Sequence, residues 1–230
     1  MNRKLLSEDY ASLYARFDVP IADFDCGQYC APFNIGGKNG PSRGPFCCDT
    51  HHAVPTVYQD EWEYLQANTD LWHPWQGRTP AETRRVQDET PDNMLLVECL
   101  GHQHCQRNFR SLTCRTFPFF PYITRDDWFI GMTYYWQFEY ACWVISNLQV
   151  VTPQYQQQFF AAYDELFERY PQEREGYRLL SSSMRRVFSR WGRSVPILHR
   201  DGKAYQVTPK NGRLRKVAPE QLPKHGVFKS

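Results

Sequence analysis

The stretch "PILHRDGKAYQVTPKNGRLRKV", residues 196–217, decides the fold prediction because two turn dipeptides divide it into three short segments. Asp201-Gly202 and Asn211-Gly212 are typical of tight turns between antiparallel strands, since glycine readily adopts the positive φ that such turns require. The segments around them alternate apolar and polar side chains. The stretch therefore predicts a three-stranded β-meander.

Helical signals dominate the chain before this meander. The best helix is predicted over 153–170, with Thr152 as its N-cap and Pro153 at the first position, and a second amphipathic helix over 174–191. Shorter helices are predicted at 5–17, 57–67 and 80–89. A buried strand is predicted at 93–99, and two extended segments are predicted at 117–123 and 128–136. Residues 137–148 fit either a helix or a strand. The predicted fold class is α+β. Residues 1–192 are predicted to form a mostly helical domain with short strands, stabilised by a bound metal, and residues 193–230 are predicted to form a basic meander and tail.

Charge is distributed unevenly along the chain. The net charge is +2, but residues 200–230 hold eight lysines and arginines against two acidic residues. A basic segment on a mildly acidic body favours either a solvated face or a partner, so a nucleic acid or a protein bound by the meander is one alternative function.

The chain has no run of about 18 apolar residues, and its first residues lack the apolar stretch of a secretory signal. These observations predict no membrane association and a cytoplasmic location, where thiols stay reduced. In that setting, clustered cysteines indicate metal ligands more than a disulfide framework.

The eight cysteines form local groups around a loop rich in glycine and proline and around an arginine-rich segment. Zinc and iron–sulfur clusters both take four thiolate ligands, so eight thiols suffice for one or two sites. The candidate ligands are Cys26, Cys30, Cys47, Cys48, Cys99, Cys105, Cys114 and Cys142. Nearby histidines that can replace a thiolate are His51, His52, His102 and His104. The alternative interpretation is that a cysteine is a small buried apolar residue, which suits Cys142 best.

The sequence "RSLTCRTFPF", residues 110–119, resembles the signature of the YkgJ-type cysteine-cluster family, a zinc- or iron-chelating domain. Cys26, Cys30, Cys47 and Cys48 resemble the family's first group, with a glycine-rich loop between its halves. Cys99 and Cys105 resemble its middle pair, and Cys114 with Arg115, Phe117 and Pro118 resembles its end. Cys142 resembles a further downstream cysteine of the family.

The resemblance implies a metal-binding protein that holds zinc or an iron–sulfur cluster. Arg110 and Arg115 are then candidates for stabilising the negative charge of the thiolates. One related branch, the flagellin lysine-N-methylases, implies an iron–sulfur-dependent enzyme as a second alternative, although a glycine-rich fingerprint for S-adenosylmethionine is missing from the sequence. Whether the protein is an enzyme stays open at this point.

Overall fold

The computed structural model describes residues 4–36 and 41–229. These residues form two compact units. The three-strand unit comprises Leu5–Asp18 and residues 30–36 and 41–116, and the five-strand unit comprises Lys4, Val19–Tyr29 and residues 117–229. The division into domains 1–192 and 193–230 that the sequence indicates stays a prediction.

The helices are α1 (Asp9–Arg16), α2 (Gly27–Cys30), α3 (Gln59–Asn68), α4 (Pro80–Asp88), α5 (Leu112–Thr116), α6 (Pro153–Arg169) and α7 (Pro171–Arg190). The strands are β1 (Thr56–Tyr58), β2 (Trp72–Pro74), β3 (Met94–Cys99), β4 (Phe119–Ile123), β5 (Phe129–Tyr134), β6 (Val195–His199), β7 (Ala204–Val207) and β8 (Leu214–Val217). Single 3-10 turns connect several of them, including His102–His104, Arg107–Phe109, Trp136–Phe138 and Trp143–Ser146.

The three-strand unit contains an antiparallel sheet in the order β1-β3-β2. Strand β3 lies in the centre, and its last residue, Cys99, pairs with Trp72 of β2. Thr56 pairs with Leu96 and belongs to β1, so the helix predicted to follow it begins three residues later, at Gln59. The short β-branched and aromatic run at 56–58 fits a half-buried strand better than a helical first turn.

The five-strand unit is built on one antiparallel sheet in the order β4-β5-β6-β7-β8. The expected strands at 196–217 are present as β6, β7 and β8, but β6 also pairs with β5 through Gly131↔His199 and Met132↔Leu198. The prediction of a mostly helical domain with a C-terminal three-stranded meander is therefore wrong. The extended segments predicted at 117–123 and 128–136 supply the hairpin β4–β5 that enlarges the meander to five strands.

Close backbone approach explains how β5 accepts β6 as its neighbour. A Cβ atom at Gly131 would lie 2.5 Å from the Leu198 carbonyl oxygen and 2.7 Å from Ile197 Cγ2. Only glycine leaves room for β6 at this point.

Helix α7 covers the edge strand β4. The Ser181 hydroxyl accepts a hydrogen bond from Ile123 N at 3.0 Å, and Arg185 Nη1 donates to the Ile123 carbonyl at 2.8 Å. The Thr152 cap predicted for α6 is confirmed, because its Oγ1 accepts from Tyr155 N at 3.1 Å. Residues 137–148, which fit either helix or strand, form 3-10 turns.

A partly buried polar network holds the segment that follows β8 in place. Glu139 accepts two hydrogen bonds from Arg193 at 2.8 and 2.6 Å and one from the Tyr134 hydroxyl at 3.0 Å. His225 reaches the Tyr134 hydroxyl with Nε2 at 3.2 Å, and its backbone N–H donates to Ser146 Oγ at 2.8 Å. These bonds hold the chain around His225 against the 3-10 turns of the same unit.

None of the helices in the described part of the chain combines the length and the apolar character that crossing a bilayer requires.

Candidate functional site

The candidate site lies in the three-strand unit, where β3 ends. Cys99 is the last residue of β3, and Gly101 follows with φ 94, a turn that glycine favours. The 3-10 turn His102–His104 leads to Cys105, whose N–H donates to the His102 carbonyl at 3.4 Å. The chain therefore reverses between two cysteines six positions apart.

Four thiols of this unit lie close enough for their charges to interact: Cys48, Cys99, Cys105 and Cys114. We call this set the thiol cluster. Burial raises the pKa of Cys99, and negative charge on Cys48 and Cys105 raises it further. Burial raises the pKa of Cys114 to about 12, again with contributions from Cys48 and Cys99, although the residue as a whole is only partly buried. The sequence predicted all four as ligands, and the structure brings them together.

Cys47 stands beside the thiol cluster. Its sulfur lies 4.0 Å from that of Cys48, within the 3-10 turn Phe46–Cys48, and the residue is exposed. All eight cysteines fall within the described residues, and no disulfide joins any of them there.

Arg110 is the cation of the thiol cluster. Its Nε donates a hydrogen bond to Cys105 Sγ at 3.1 Å. Burial alone would lower the pKa of the guanidinium, but the bond to Cys105 and the charges of Cys105, Cys114 and Cys48 outweigh burial and raise this pKa. Arg110 therefore makes a direct contact with a thiol, and its role in stabilising thiolate charge stays a prediction.

Arg115 has a different set of partners, although it follows Cys114 directly. Its guanidinium donates to the carbonyl oxygens of Phe17 at 2.5 Å, of Arg110 at 2.8 Å and of Asn108 at 2.9 Å. It also lies 4.3 Å from the centroid of the Tyr14 ring. Arg115 thus fastens the backbone that presents Arg110 and Cys114 to the end of α1.

A buried carboxylate, that of Glu61, binds the backbone of the segment that carries Cys114. Glu61 is 1% exposed and accepts hydrogen bonds from the Tyr14 hydroxyl at 2.6 Å and from Leu112 N at 2.7 Å. Burial raises the pKa of Glu61 to about 7, against the opposing effects of these bonds and of Arg115. Glu61 falls within the helix predicted at 57–67, but the sequence pattern gives no signal of its burial.

Three of the four histidines proposed as alternative ligands have other contacts. His51 Nδ1 lies 2.7 Å from Asp49 Oδ1, and His52 Nε2 lies 3.2 Å from Asn34 Oδ1. The ring of His102 packs on Gly44, where a Cβ atom would come within 2.3 Å of Nδ1. His104 is exposed. Their role as ligands stays a prediction.

Three further candidate cysteines, Cys26, Cys30 and Cys142, are not counted in the thiol cluster. Cys26 and Cys142 belong to the five-strand unit, next to an aromatic group in which the Tyr29 and Trp143 rings stack at 4.3 Å. Cys142 N donates to the Phe138 carbonyl at 2.8 Å. Cys30, at the end of α2, is buried. The prediction that these cysteines also bind metal is untested.

Across residues 4–36 and 41–229, no three His, Cys, Asp or Glu side chains form a ready-made group that could hold a metal ion. The thiol cluster therefore gathers suitable donors without bringing their sulfur atoms to coordination geometry.

Comparison with known proteins gives no match: neither a family model, nor a curated protein, nor a solved structure matches this chain.

Proposed function

We propose that the chain binds a metal centre, either zinc or an iron–sulfur cluster, through the thiolates of the thiol cluster. The observation that carries the proposal is the neighbourhood of four thiols whose charges act on one another, with one sulfur bonded to an arginine. Four thiolates are the donor set of structural zinc sites and of common iron–sulfur clusters.

The electrostatics of the thiol cluster support a cationic ligand. Burial raises the pKa values of Cys99 and Cys114, and negative charge on a neighbouring cysteine raises them further. A bound cation reverses this balance, since it stabilises each thiolate directly and releases the protons.

Metal binding requires the thiol side chains to rotate from their positions in the structure. Zinc–sulfur bonds are about 2.3 Å long, and no ready-made group of that kind exists among the described residues. The exposed Cys105 and the turns on either side of it give the segment after β3 room for this adjustment.

Elemental analysis of the full chain, purified without oxygen, tests the proposal. We expect zinc or iron in stoichiometric amount, with a broad absorption near about 400 nm for an iron–sulfur cluster and a colourless sample for zinc. Folded protein that carries neither metal, and that takes up neither added Zn²⁺ nor iron with sulfide, would contradict it.

A further inference from the structure

We infer that Arg110 is the positioning residue of the proposed metal site: it holds the sulfur of Cys105 and offsets the negative charge of the four thiolates. This inference rests on the proposed function and adds a residue that is not itself a ligand. Its basis is the hydrogen bond from Arg110 Nε to Cys105 Sγ at 3.1 Å.

The backbone of Arg110 is fixed on both sides of the residue. Its N–H donates to the Arg107 carbonyl at 3.2 Å, and its own carbonyl accepts from Arg115 Nε at 2.8 Å. Cys105, in contrast, is exposed. The fixed backbone of Arg110 therefore positions a guanidinium that holds Cys105, the most exposed residue of the thiol cluster.

Charge gives Arg110 a second task. Four thiolates around a divalent ion leave a net negative charge on the site, and the same holds for a cluster with four thiolate ligands. Arg110 Nε lies 3.1 Å from Cys105 Sγ, so its positive charge stands next to one of these thiolates. The guanidinium of Arg115 instead donates to the carbonyl oxygens of Phe17, Asn108 and Arg110.

The guanidinium suits this position better than an ammonium group would. Its planar fork offers several N–H donors in fixed directions, and it loses less hydration on partial burial. Hydrogen bonds to ligand sulfurs are among the features that set metal affinity and reduction potential. Loss of such a partner typically lowers metal affinity about 10- to 100-fold.

The test compares R110Q and R110K with the control R107Q in the full chain. Arg107 lies in the same segment, but its guanidinium donates to the Asp18 carbonyl, at 3.2 and 2.5 Å, rather than to sulfur. For a zinc centre, Zn²⁺ affinity is measured by competition with a chelator, and Co²⁺ substitution reports thiolate coordination through its visible charge-transfer bands. For an iron–sulfur centre, the readout is the midpoint potential.

We expect R110Q to bind Zn²⁺ about 10-fold more weakly and to change the Co²⁺–thiolate bands, R110K to recover part of the affinity, and R107Q to match the wild type. In an iron–sulfur centre, R110Q should lower the midpoint potential, because the reduced state carries more negative charge. A wild-type chain that binds no metal would overturn the proposed function. A metal-binding wild type whose affinity, spectrum and potential are unchanged in R110Q would overturn the inference about Arg110 alone. If R110Q does not fold, R110K decides: affinity and spectrum equal to those of R107Q contradict a role for the guanidinium fork.

Discussion

The carboxylate of Glu61 in α3 accepts a hydrogen bond from the backbone N–H of Leu112, the first residue of α5, at 2.7 Å. The Tyr14 hydroxyl donates to the same oxygen at 2.6 Å. One buried carboxylate therefore joins α1, α3 and the short helix that carries Cys114. The position of this thiol depends on a residue remote from it in the sequence.

Glu61 makes the stability of the three-strand unit dependent on pH. Its pKa rises from 4.5 in the unfolded chain to about 7 in the folded one, because burial disfavours the charged form. The folded state thus binds the proton more tightly, and this stabilisation is complete below pH 4.5 and is lost as the pH rises through about 7. This rise in the pKa of Glu61 corresponds to about 3 kcal/mol of stabilisation at low pH. Urea unfolding in chelating buffer should show the decline with rising pH, and E61Q should flatten it. An equal slope in both proteins would contradict this assignment.

We expect Arg115 to contribute mainly to stability and Arg110 to contribute mainly to metal binding. R115A leaves the carbonyl groups of Phe17, Asn108 and Arg110 without their donor, so we expect a loss of at least about 3 kcal/mol in the free energy of unfolding. R110Q should cost less than about 1 kcal/mol, because the guanidinium of Arg110 bonds the exposed Cys105. Chemical denaturation of both variants in chelating buffer checks this contrast. Equal losses would show that the two arginines share one structural role.

Serine substitutions separate a four-thiol site from one that uses all eight cysteines. C48S, C99S, C105S and C114S should each lower the bound metal, because each removes one donor of the thiol cluster. C142S is the matched control, since Cys142 belongs to the five-strand unit. Metal content by elemental analysis, normalised to folded protein, is the measurement. Full metal content in C114S, or a loss in C142S equal to that in C114S, would contradict the four-thiol assignment.

His225 should make the end of the chain sensitive to acid. Burial lowers its pKa from 6.5, and Arg193 and Lys229 lower it further, while Glu139 opposes them. The folded state therefore favours the neutral ring, and the stability it contributes is present above pH 6.5 and is lost as the pH falls through the lowered pKa. Limited proteolysis should cut residues 218–229 faster at about pH 5 than at about pH 7.5.

The variant H225Q should remove most of this pH dependence. H199Q is the matched control, because His199 lies in the same unit and contacts Asp201 rather than the network around Glu139. Cleavage of H225Q that still accelerates in acid as in the wild type would exclude His225 as the cause.

Local chemistry predicts the elements of this fold better than their assembly. The Thr152 cap of α6, the Thr79 cap of α4 and the strands around Gly202 and Gly212 follow from residues close in sequence. The pairing of β5 with β6 joins segments more than sixty residues apart, and it depends on a Gly131 without a side chain. The periodicity of the sequence does not indicate this contact, so the sequence predicts a three-stranded meander where the structure has a five-stranded sheet.

The candidate site shows the same division between residue type and position. Cysteine spacing indicated the residues that form the thiol cluster, because thiols in polar, loop-rich surroundings have little reason to pack as apolar side chains. The sequence gives Arg110 and Arg115 the same expected role. The structure distinguishes them, because Arg110 donates to a sulfur and Arg115 donates to backbone carbonyls. The lysine-methylase and adaptor alternatives stay predictions.

Strand β8 ends the five-stranded sheet, and its exposed side chains include Arg215 and Lys216. An open sheet edge offers unpaired backbone groups to any other extended chain, and charged residues there hinder such pairing. Arg215 and Lys216 are charged residues of this kind on the terminal strand of the sheet. If two copies met along this strand, the like charges of Arg215 and Lys216 would repel each other and oppose an extension of the sheet.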